Sequence, residues 1–270
     1  MSKITILKLG GSAITDKTAK CTPNLPVIQH VADQLSEYSG PLVLVHGGGS
    51  FAHPFVKESR LENGLHDPSQ LLSVSETEFY LGQLTRIICA SLLLRKVACV
   101  PLHPMSLATL RNGKVKQFLF SPIRKSLGGG LVPLLHGDLV FDESKGIGIL
   151  SGDKIASLLG LELDVPRILF GCDVDGVYAD DAKSERDTII SEITSRNLRE
   201  ALAASQGPSN DATGGMGAKV REAISLAKKG RECYIFNLKE RNALRRILVG
   251  EESIGTRFVP WHDPRRSAKQ

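Results

Sequence analysis

The sequence contains few cysteines, few aromatic residues and no long apolar run. Its five cysteines are odd in number and widely spaced, without a Cys-x-x-Cys pair, so neither a zinc site nor a disulfide framework is indicated. No stretch approaches the roughly 20 apolar residues that a membrane-spanning helix needs. The apolar N-terminal stretch is short and carries Lys8, unlike a signal peptide. We therefore expect a soluble, cytoplasmic protein with reduced thiols.

An excess of charge of one sign is also missing. The chain has 34 Lys and Arg against 29 Asp and Glu, and its basic residues are spread out apart from Arg265, Arg266 and Lys269. This distribution does not favour a nucleic-acid groove, whereas a mild positive charge suits an anionic substrate equally well. The Walker pattern G-x-x-x-x-G-K-[ST] is absent too, which excludes a P-loop.

Apolar segments alternate with segments of helical spacing along the 270 residues. Strands are predicted at 3–9, 42–45, 97–101, 132–135, 166–170 and 232–236, and helices at 26–38, 74–95, 153–162, 195–204, 215–229 and 239–248. The alternation predicts an α/β fold with a mainly parallel sheet. Because no repeat or low-complexity linker interrupts it, we expect one domain over 1–270, divided functionally into halves 1–165 and 166–270.

Glycine-rich turns follow the first two predicted strands, as Lys8-Leu9-Gly10-Gly11-Ser12 and Gly47-Gly48-Gly49-Ser50. Backbone N–H groups in such turns favour phosphate oxygens, and open α/β sheets bind ligands where their strands end. A dinucleotide fingerprint fits loosely at 47–52, but residues 61–70 do not resemble the strand that should follow it. Lys8 either meets an anion at this edge or extends to solvent where the strand ends.

His53 and Asp153 are two further candidates. An imidazole at residue 53, just after the second glycine turn, either donates to an anionic oxygen or caps a turn. Asp153 opens a predicted helix, where it either complements the helix dipole or holds Lys8 in position.

Two segments of the C-terminal half also carry candidate groups. Residues 171–178 place Asp173 and Asp175 beside a glycine without the register of a calcium loop, which suits either a nucleotide contact or a bare turn. In residues 211–219, glycines precede a helix that carries Lys219 one turn in. This segment either binds phosphate or is a flexible loop with an exposed lysine.

In combination and in this order, these segments resemble the amino acid kinase family. The matching pieces are KLGGS at 8–12, HGGGSF at 46–51, GD at 137–138 and 152–153, DVDGVY at 173–178 and TGGMGAK at 213–219. The resemblance implies an αβα sandwich around a central, mainly parallel sheet of eight strands. It also implies a homodimeric kinase with the phosphoryl acceptor in the N-terminal half and ATP with Mg²⁺ in the C-terminal half.

Within the family, the chain is most similar to the isopentenyl phosphate kinase branch. Lys17 follows the first glycine pair, and the loop GGGSFAHP carries Ala52 where glycine is usual, followed by His53. The resemblance implies ATP-dependent phosphorylation of isopentenyl phosphate to the diphosphate. The alternatives are a fosfomycin-type phosphonate kinase, which TLRNG at 109–113 and NDATGGM at 210–216 somewhat resemble, and another small-acid kinase of the family.

The resemblance also implies roles for individual residues. Lysines brace the transferring phosphoryl group, Asp153 orients them, and His53 holds the acceptor; the catalytic set is Lys8, Lys17, His53, Asp153 and Lys219. The expected ATP contacts are Lys8, Leu9, Gly10, Gly11, Ser12, Gly49, Asp173, Asp175, Tyr178, Gly215 and Lys219. The expected acceptor contacts are Gly48, His53, Tyr80, Gln83, Ile87 and Gly152. No metal ligand is expected from protein side chains.

Overall fold

The computed structural model describes residues 4–179, 188–204, 215–251 and 254–261. Its strands are β1 (Thr5–Leu9), β2 (Leu42–His46), β3 (Cys99–Pro101), β4 (Ala108–Arg111), β5 (Lys114–Phe118), β6 (Val132–His136), β7 (Asp138–Asp142), β8 (Gly146–Leu150), β9 (Arg167–Cys172), β10 (Glu192–Ile193), β11 (Glu232–Asn237) and β12 (Thr256–Phe258). Its helices are α1 (Gly11–Ile14), α2 (Leu25–Ser36), α3 (His53–Glu58), α4 (Gln70–Leu93), α5 (Ser121–Gly128), α6 (Gly152–Glu162), α7 (Leu198–Ala204), α8 (Gly215–Lys228) and α9 (Ala243–Leu248). Residues 205–214, which include Thr213 and Gly214 of the TGGMGAK segment, and the basic residues at 265–269 lie outside the described residues.

The main sheet joins eight strands in the order β10-β12-β11-β9-β1-β2-β6-β3. Its strands pair in parallel, except that β11 and β12 are antiparallel. Lys8 on β1 pairs with Val45 on β2 and with Phe170 on β9. The carboxyl ends of these strands therefore lie along one edge, where an α/β sheet binds its ligands. The predicted fold class is confirmed.

Both faces of the sheet are buried, as its apolar strands require. On β1, Ile6 packs into one core and Leu7 into the core on the opposite face. Helices α6 and α8 cover the Ile6 face, and α2, α4 and α9 cover the Leu7 face. Within the described residues, no helix has the length and apolar character needed to cross a bilayer.

The proposed halves share this one sheet. The division near residue 165 falls between α6 and β9, and β9 pairs directly with β1 of the other half. A boundary that cuts a continuous run of strand pairings does not separate two independent folding units.

A second sheet, of order β5-β4-β7-β8, was not predicted from the sequence. Its first hairpin turns at Asn112 and Gly113, which both have positive φ, of 52° and 72°. Its other hairpin, β7–β8, packs Leu139 and Ile147 against Val56 of α3 in a small core of its own. This sheet thus extends the fold beside α3 at the carboxyl edge of the main sheet.

Candidate active site

The two glycine turns pack directly against each other beyond β1 and β2. A Cβ atom on Gly11 would lie 2.5 Å from the Gly49 nitrogen, and one on Gly47 would lie 2.7 Å from the Gly11 nitrogen. Gly49 also has φ of +51°, and a Cβ there would lie 2.1 Å from Oγ1 of Thr15. Only glycines allow this close approach of two backbones, and both turns line the same cavity.

Two buried lysines share one carboxylate beside these turns. Nζ of Lys8 lies 2.9 Å from Oδ1 of Asp153, and Nζ of Lys219 lies 2.9 Å from Oδ2. Asp153 stands in the first turn of α6, whose N-cap Ser151 accepts a hydrogen bond from the Lys154 N–H at 3.2 Å. Lys219 comes from α8, so two helices and β1 converge on this carboxylate.

The charges of this cluster set its protonation. Burial alone would raise the pKa of Asp153, but the charges of Lys219 and Lys8 and their hydrogen bonds hold it well below its usual range. Burial lowers the pKa of Lys8, only partly opposed by Asp153. Burial also acts to lower the pKa of Lys219, but the charge of Asp153, its hydrogen bond and the contacts with Cys172 and Lys8 together outweigh burial and raise it. With both lysines protonated, the cluster carries one net positive charge in a site of low dielectric, which suits an anion.

A more exposed ion pair lies next to the cluster. Nζ of Lys17 is 3.1 Å from Oδ2 of Asp173, whose Oδ1 accepts a hydrogen bond from the Ser12 hydroxyl at 2.7 Å. The Lys17 side chain is 57% exposed. Unlike the buried lysines, it is free to reorient toward a ligand at small energetic cost.

One cavity of about 640 Å³ connects these groups, a volume within the range of small-molecule sites. Its cationic end is formed by the glycine turns and by Lys8, Lys17 and Lys219. Its other end is apolar and is lined by Val56, Leu81, Leu139 and Ile149. Such a cavity suits a ligand with an anionic head and a short hydrocarbon tail.

His53 lines this cavity as the first residue of α3. Its neighbour Ala52 is 8% exposed, and its methyl group occupies the space beside Gly48, where an added Cβ would come within 2.5 Å. The Ala52 methyl group thus packs against the phosphate-type turn beside the apolar end of the cavity.

Helix α4 presents a different set of side chains to the cavity from the predicted one. Thr77 and Leu81, four residues apart, line it, whereas Tyr80, Gln83 and Ile87 are not among the described residues that do. Tyr80 stacks on Phe55 with ring centroids 4.6 Å apart, and Ile87 packs against the core under the main sheet. The role of these three as acceptor contacts stays a prediction, because helical spacing alone leaves the rotation of α4 about its axis open.

The predicted ATP contacts are divided between the cavity and its surroundings. Those that line the cavity are Lys8, Gly10, Gly11, Ser12, Gly49, Asp173, Gly215 and Lys219. Leu9 instead points into the core with 2% exposure. Asp175 and Tyr178 lie in the same loop as Asp173 but outside the described cavity wall, with Asp175 accepting a hydrogen bond from Asn237 at 2.8 Å.

Several cavity residues escaped the sequence analysis. They include Thr77, Leu81, Leu139 and Ile149, all single residues without a local motif, and Met216, which lies in the TGGMGAK segment but was not singled out. A hairpin signal was available for the second sheet, since Asn112-Gly113 separates two segments of strand character. It could have indicated the β-structure beside α3, although not which of its side chains face the ligand.

Comparisons with known proteins agree with this geometry. The amino acid kinase family profile matches residues 3–237. Isopentenyl phosphate kinases of Methanothermobacter thermautotrophicus and Methanocaldococcus jannaschii are 33% and 31% identical, covering 95% and 92% of this chain and 99% and 96% of their own. A solved structure described as isopentenyl phosphate kinase superimposes with a TM-score of 0.82 at 30% identity, covering 95% of this chain and 100% of that one. By profile, sequence and fold, the chain belongs to the amino acid kinase family.

Proposed function

We propose that this chain catalyses phosphoryl transfer from ATP to isopentenyl phosphate, giving isopentenyl diphosphate and ADP. The observation that carries the proposal is the cavity, in which a cationic end with two glycine turns adjoins an apolar end. The similarity to isopentenyl phosphate kinases over nearly the full chain supports the same acceptor.

The acceptor chemistry fits the side chains present. A phosphate monoester has a second pKa of about 6, so it is largely dianionic at neutral pH and needs no base to remove a proton. One of its oxygens attacks the γ-phosphorus, and the bond between that phosphorus and the β–γ bridging oxygen breaks, which releases ADP. The main obstacle is repulsion between the anions, which Lys8, Lys219 and Lys17 reduce.

Residues of the two halves have separate roles in this proposal. Lys8 and Lys219 flank the transferring group, with Asp153 holding both, and Lys17 leaves Asp173 to reach the γ-phosphate. His53 holds the acceptor phosphate at the junction of the two ends of the cavity. ATP lies on the side formed by Asp173, Gly215 and Met216, and the tail of the acceptor lies against Leu139 and Ile149.

The proposal includes Mg²⁺ bound to the phosphates of ATP. Mg²⁺ keeps several waters and binds through phosphates and one or two carboxylates. Of the three carboxylates in the described cavity wall, Asp173 fits such a role, since Asp153 already bridges two lysines and Asp138 faces Glu78. In the described part of the chain, His, Cys, Asp and Glu side chains form no group of three or more suited to a metal.

Carboxylate acceptors fit less well. A carboxylate site commonly uses an arginine, whose planar group binds both oxygens. The cavity wall, as far as the structure describes it, contains lysines and one histidine but no arginine. This composition favours a phosphate or phosphonate head over an amino-acid carboxylate.

Assembly and location complete the proposal. A homodimer is supported by apolar side chains that α4 exposes, including Leu72, Phe79 and Leu93, and by the unpaired edge of β3 in the described sheet. A cytoplasmic location is supported by the five free thiols, which are typical of reducing compartments.

The test is release of ADP from ATP and Mg²⁺ with isopentenyl phosphate, fosfomycin or N-acetylglutamate as acceptor. We expect turnover with isopentenyl phosphate, and in His53→Ala a KM for that acceptor raised about 10- to 100-fold, with the KM for ATP unchanged. His66→Ala, which removes an exposed histidine beyond α3, is the matched control and should leave both constants unchanged. Turnover with another acceptor alone would reassign the substrate.

A further inference from the structure

Beside the apolar end of the cavity, two carboxyl groups are buried against each other. The carboxyl group of Glu78 on α4 faces that of Asp138 at the start of β7, close enough for a hydrogen bond if one of them carries a proton. Oε1 of Glu78 and Oδ1 of Asp138 are both buried and accept no hydrogen bond from an N–H or hydroxyl group in the described parts of the chain. Oδ2 of Asp138 accepts one from the Met105 N–H at 2.8 Å.

A hydrogen bond between two carboxyl groups requires a proton on one of them, because two carboxylates can only accept. Burial, the bond to Asp138 and its charge raise the pKa of Glu78 to about 9, whereas burial raises the pKa of Asp138 to about 6. At neutral pH the proton therefore resides on Glu78, and Asp138 is the acceptor.

The surrounding groups do not supply a competing cation. The titratable groups that face Glu78 are Asp138 on β7, His136 on β6 and His103 after β3, and Arg86 of α4 faces His103. Burial lowers the pKa of His136, so its ring is neutral at neutral pH. Its Nδ1 lies 3.3 Å from the Gly137 carbonyl oxygen and 3.7 Å from Oδ1 of Asp138. A neutral histidine at that distance does not replace the proton on Glu78.

Both partners are directly joined to the cavity wall. Thr77, which precedes Glu78, and Gly137, Asp138 and Leu139 all line the cavity. Gly137 lies so close to the start of α6 that a Cβ on it would come within 2.7 Å of the Gly152 nitrogen. A change in the separation of α4 and β7 would therefore move the wall that contacts the acceptor.

We propose that Glu78 is a positioning residue for the acceptor: it keeps its proton, donates it to Asp138, and so fixes α4 against the β6–β7 turn. This inference rests on the proposed function for the identity of the acceptor. When Glu78 ionises, two adjacent carboxylates repel each other, the wall opens and the acceptor binds more weakly. The nucleotide side of the cavity lies on other elements and is unaffected.

The kinetic test compares wild type, Glu78→Gln and Glu76→Gln between pH 7 and pH 10. In wild type, the KM for isopentenyl phosphate should rise about tenfold above pH 9 relative to Glu78→Gln, while the KM for ATP follows the same course in both. Glutamine supplies a permanent N–H donor, so Glu78→Gln should keep the wild-type KM at pH 7. Glu76→Gln, an exposed change on the same helix, should behave as wild type. Identical alkaline profiles for wild type and Glu78→Gln would overturn the proposal.

A stability measurement tests whether Glu78 is protonated in the folded protein, and it needs no substrate. Between its unfolded pKa near 4.5 and its folded pKa near 9, Glu78 binds one more proton in the folded state, so wild-type stability falls as pH rises. From pH 7 to pH 8, the unfolding constant of wild type should rise about tenfold relative to Glu78→Gln in urea titrations. Asp138→Asn, whose amide donates to an ionised Glu78, should also remove this dependence and serves if Glu78→Gln does not fold. A constant ratio would show that Glu78 is ionised and would refute the inference even if the kinase reaction is established.

Discussion

The cationic end of the site depends on the carboxylate of Asp153. It contacts Nζ of Lys8 and of Lys219 at 2.9 Å, and all three side chains are at most 14% exposed. Removing one partner of a buried charge group leaves the others desolvated without compensation. The same residue therefore contributes to both stability and phosphoryl transfer, unlike Lys17, whose pair with Asp173 is largely exposed.

We expect Asp153→Asn to lower the free energy of unfolding by about 3–5 kcal/mol, because two buried ammonium groups lose their counter-charge. Turnover should fall at least about 100-fold, since the lysines are no longer held beside the transferring group. Urea unfolding and ADP release measure the two effects. Glu222→Gln, on α8, is the control, because it removes only the surface partner of Lys154 of α6, at 3.4 Å, and should cost less than about 1 kcal/mol.

The pH dependence of this variant checks the same argument. Because the folded pKa of Asp153 is depressed, its ion pairs stabilise the protein above the unfolded value of 3.8, and this stability is lost as pH falls through the folded pKa. Wild type should therefore lose stability relative to Asp153→Asn as pH falls below about 4. Parallel stability curves for the two proteins across pH 6 to 3 would contradict the assignment.

At the scale of elements, the two glycine turns are one structural unit. Each turn ends a buried parallel strand, and their backbones approach too closely for side chains at Gly11 and Gly47. Gly49 adds a left-handed backbone conformation, which strains any residue with a Cβ atom. The phosphate-type turns therefore depend on glycine for their mutual packing as well as for access to a ligand.

Gly49→Ala should destabilise the protein by about 1–3 kcal/mol, because the methyl group meets Thr15 and the Gly11 carbonyl in a strained conformation. It should also raise the KM for ATP. Gly82→Ala is the matched control, since this position lies within α4 and an added Cβ has no neighbour within 4 Å. It should stabilise the protein by about 0.5–1 kcal/mol. Urea unfolding of both variants measures the contrast, and equal effects would refute the explanation.

The strands of the main sheet were predictable because each is an apolar segment bounded by turn residues. β1, β2, β6 and β11 start and end within two residues of their predicted limits. The second sheet was not predicted, since its strand β5 (Lys114–Phe118) is largely exposed and polar, which leaves little apolar periodicity. Its Asn-Gly turn was the remaining signal.

The candidate site was predictable to different degrees for its two ends. Lys8, Lys17, Asp153 and Lys219 were identified through motifs, and the structure brings them together around one cavity. The residues of the apolar end were not identified. A side chain that lines a pocket, such as Ile149, has the same local sequence pattern as a side chain buried in a core. The rotation of α4, which decides between Thr77 and Tyr80, depends on packing against distant elements.

At the scale of the whole molecule, strand pairing links the acceptor side to the nucleotide side. β1 pairs with β2 on one side and with β9 on the other, so the core continues across the proposed division near residue 165. The single tryptophan, Trp261, is a natural probe of the nucleotide side. It packs on the core shared by α6 and α8 and donates its backbone N–H to Ala227 at 2.9 Å.

If the chain unfolds as one unit, a core substitution on the acceptor side must shift the unfolding of Trp261. Leu84→Ala, at a fully buried position of α4, should lower the free energy of unfolding by about 2–5 kcal/mol, whether followed by Trp261 fluorescence or by far-ultraviolet circular dichroism. Leu94→Ala, at an 83% exposed position next to the end of the same helix, should change it by less than about 0.5 kcal/mol. A Trp261 transition that stays in place while circular dichroism becomes biphasic would show that the two halves unfold separately. In that case the pairing of β1 with β9 would be too weak to couple acceptor binding to the nucleotide side.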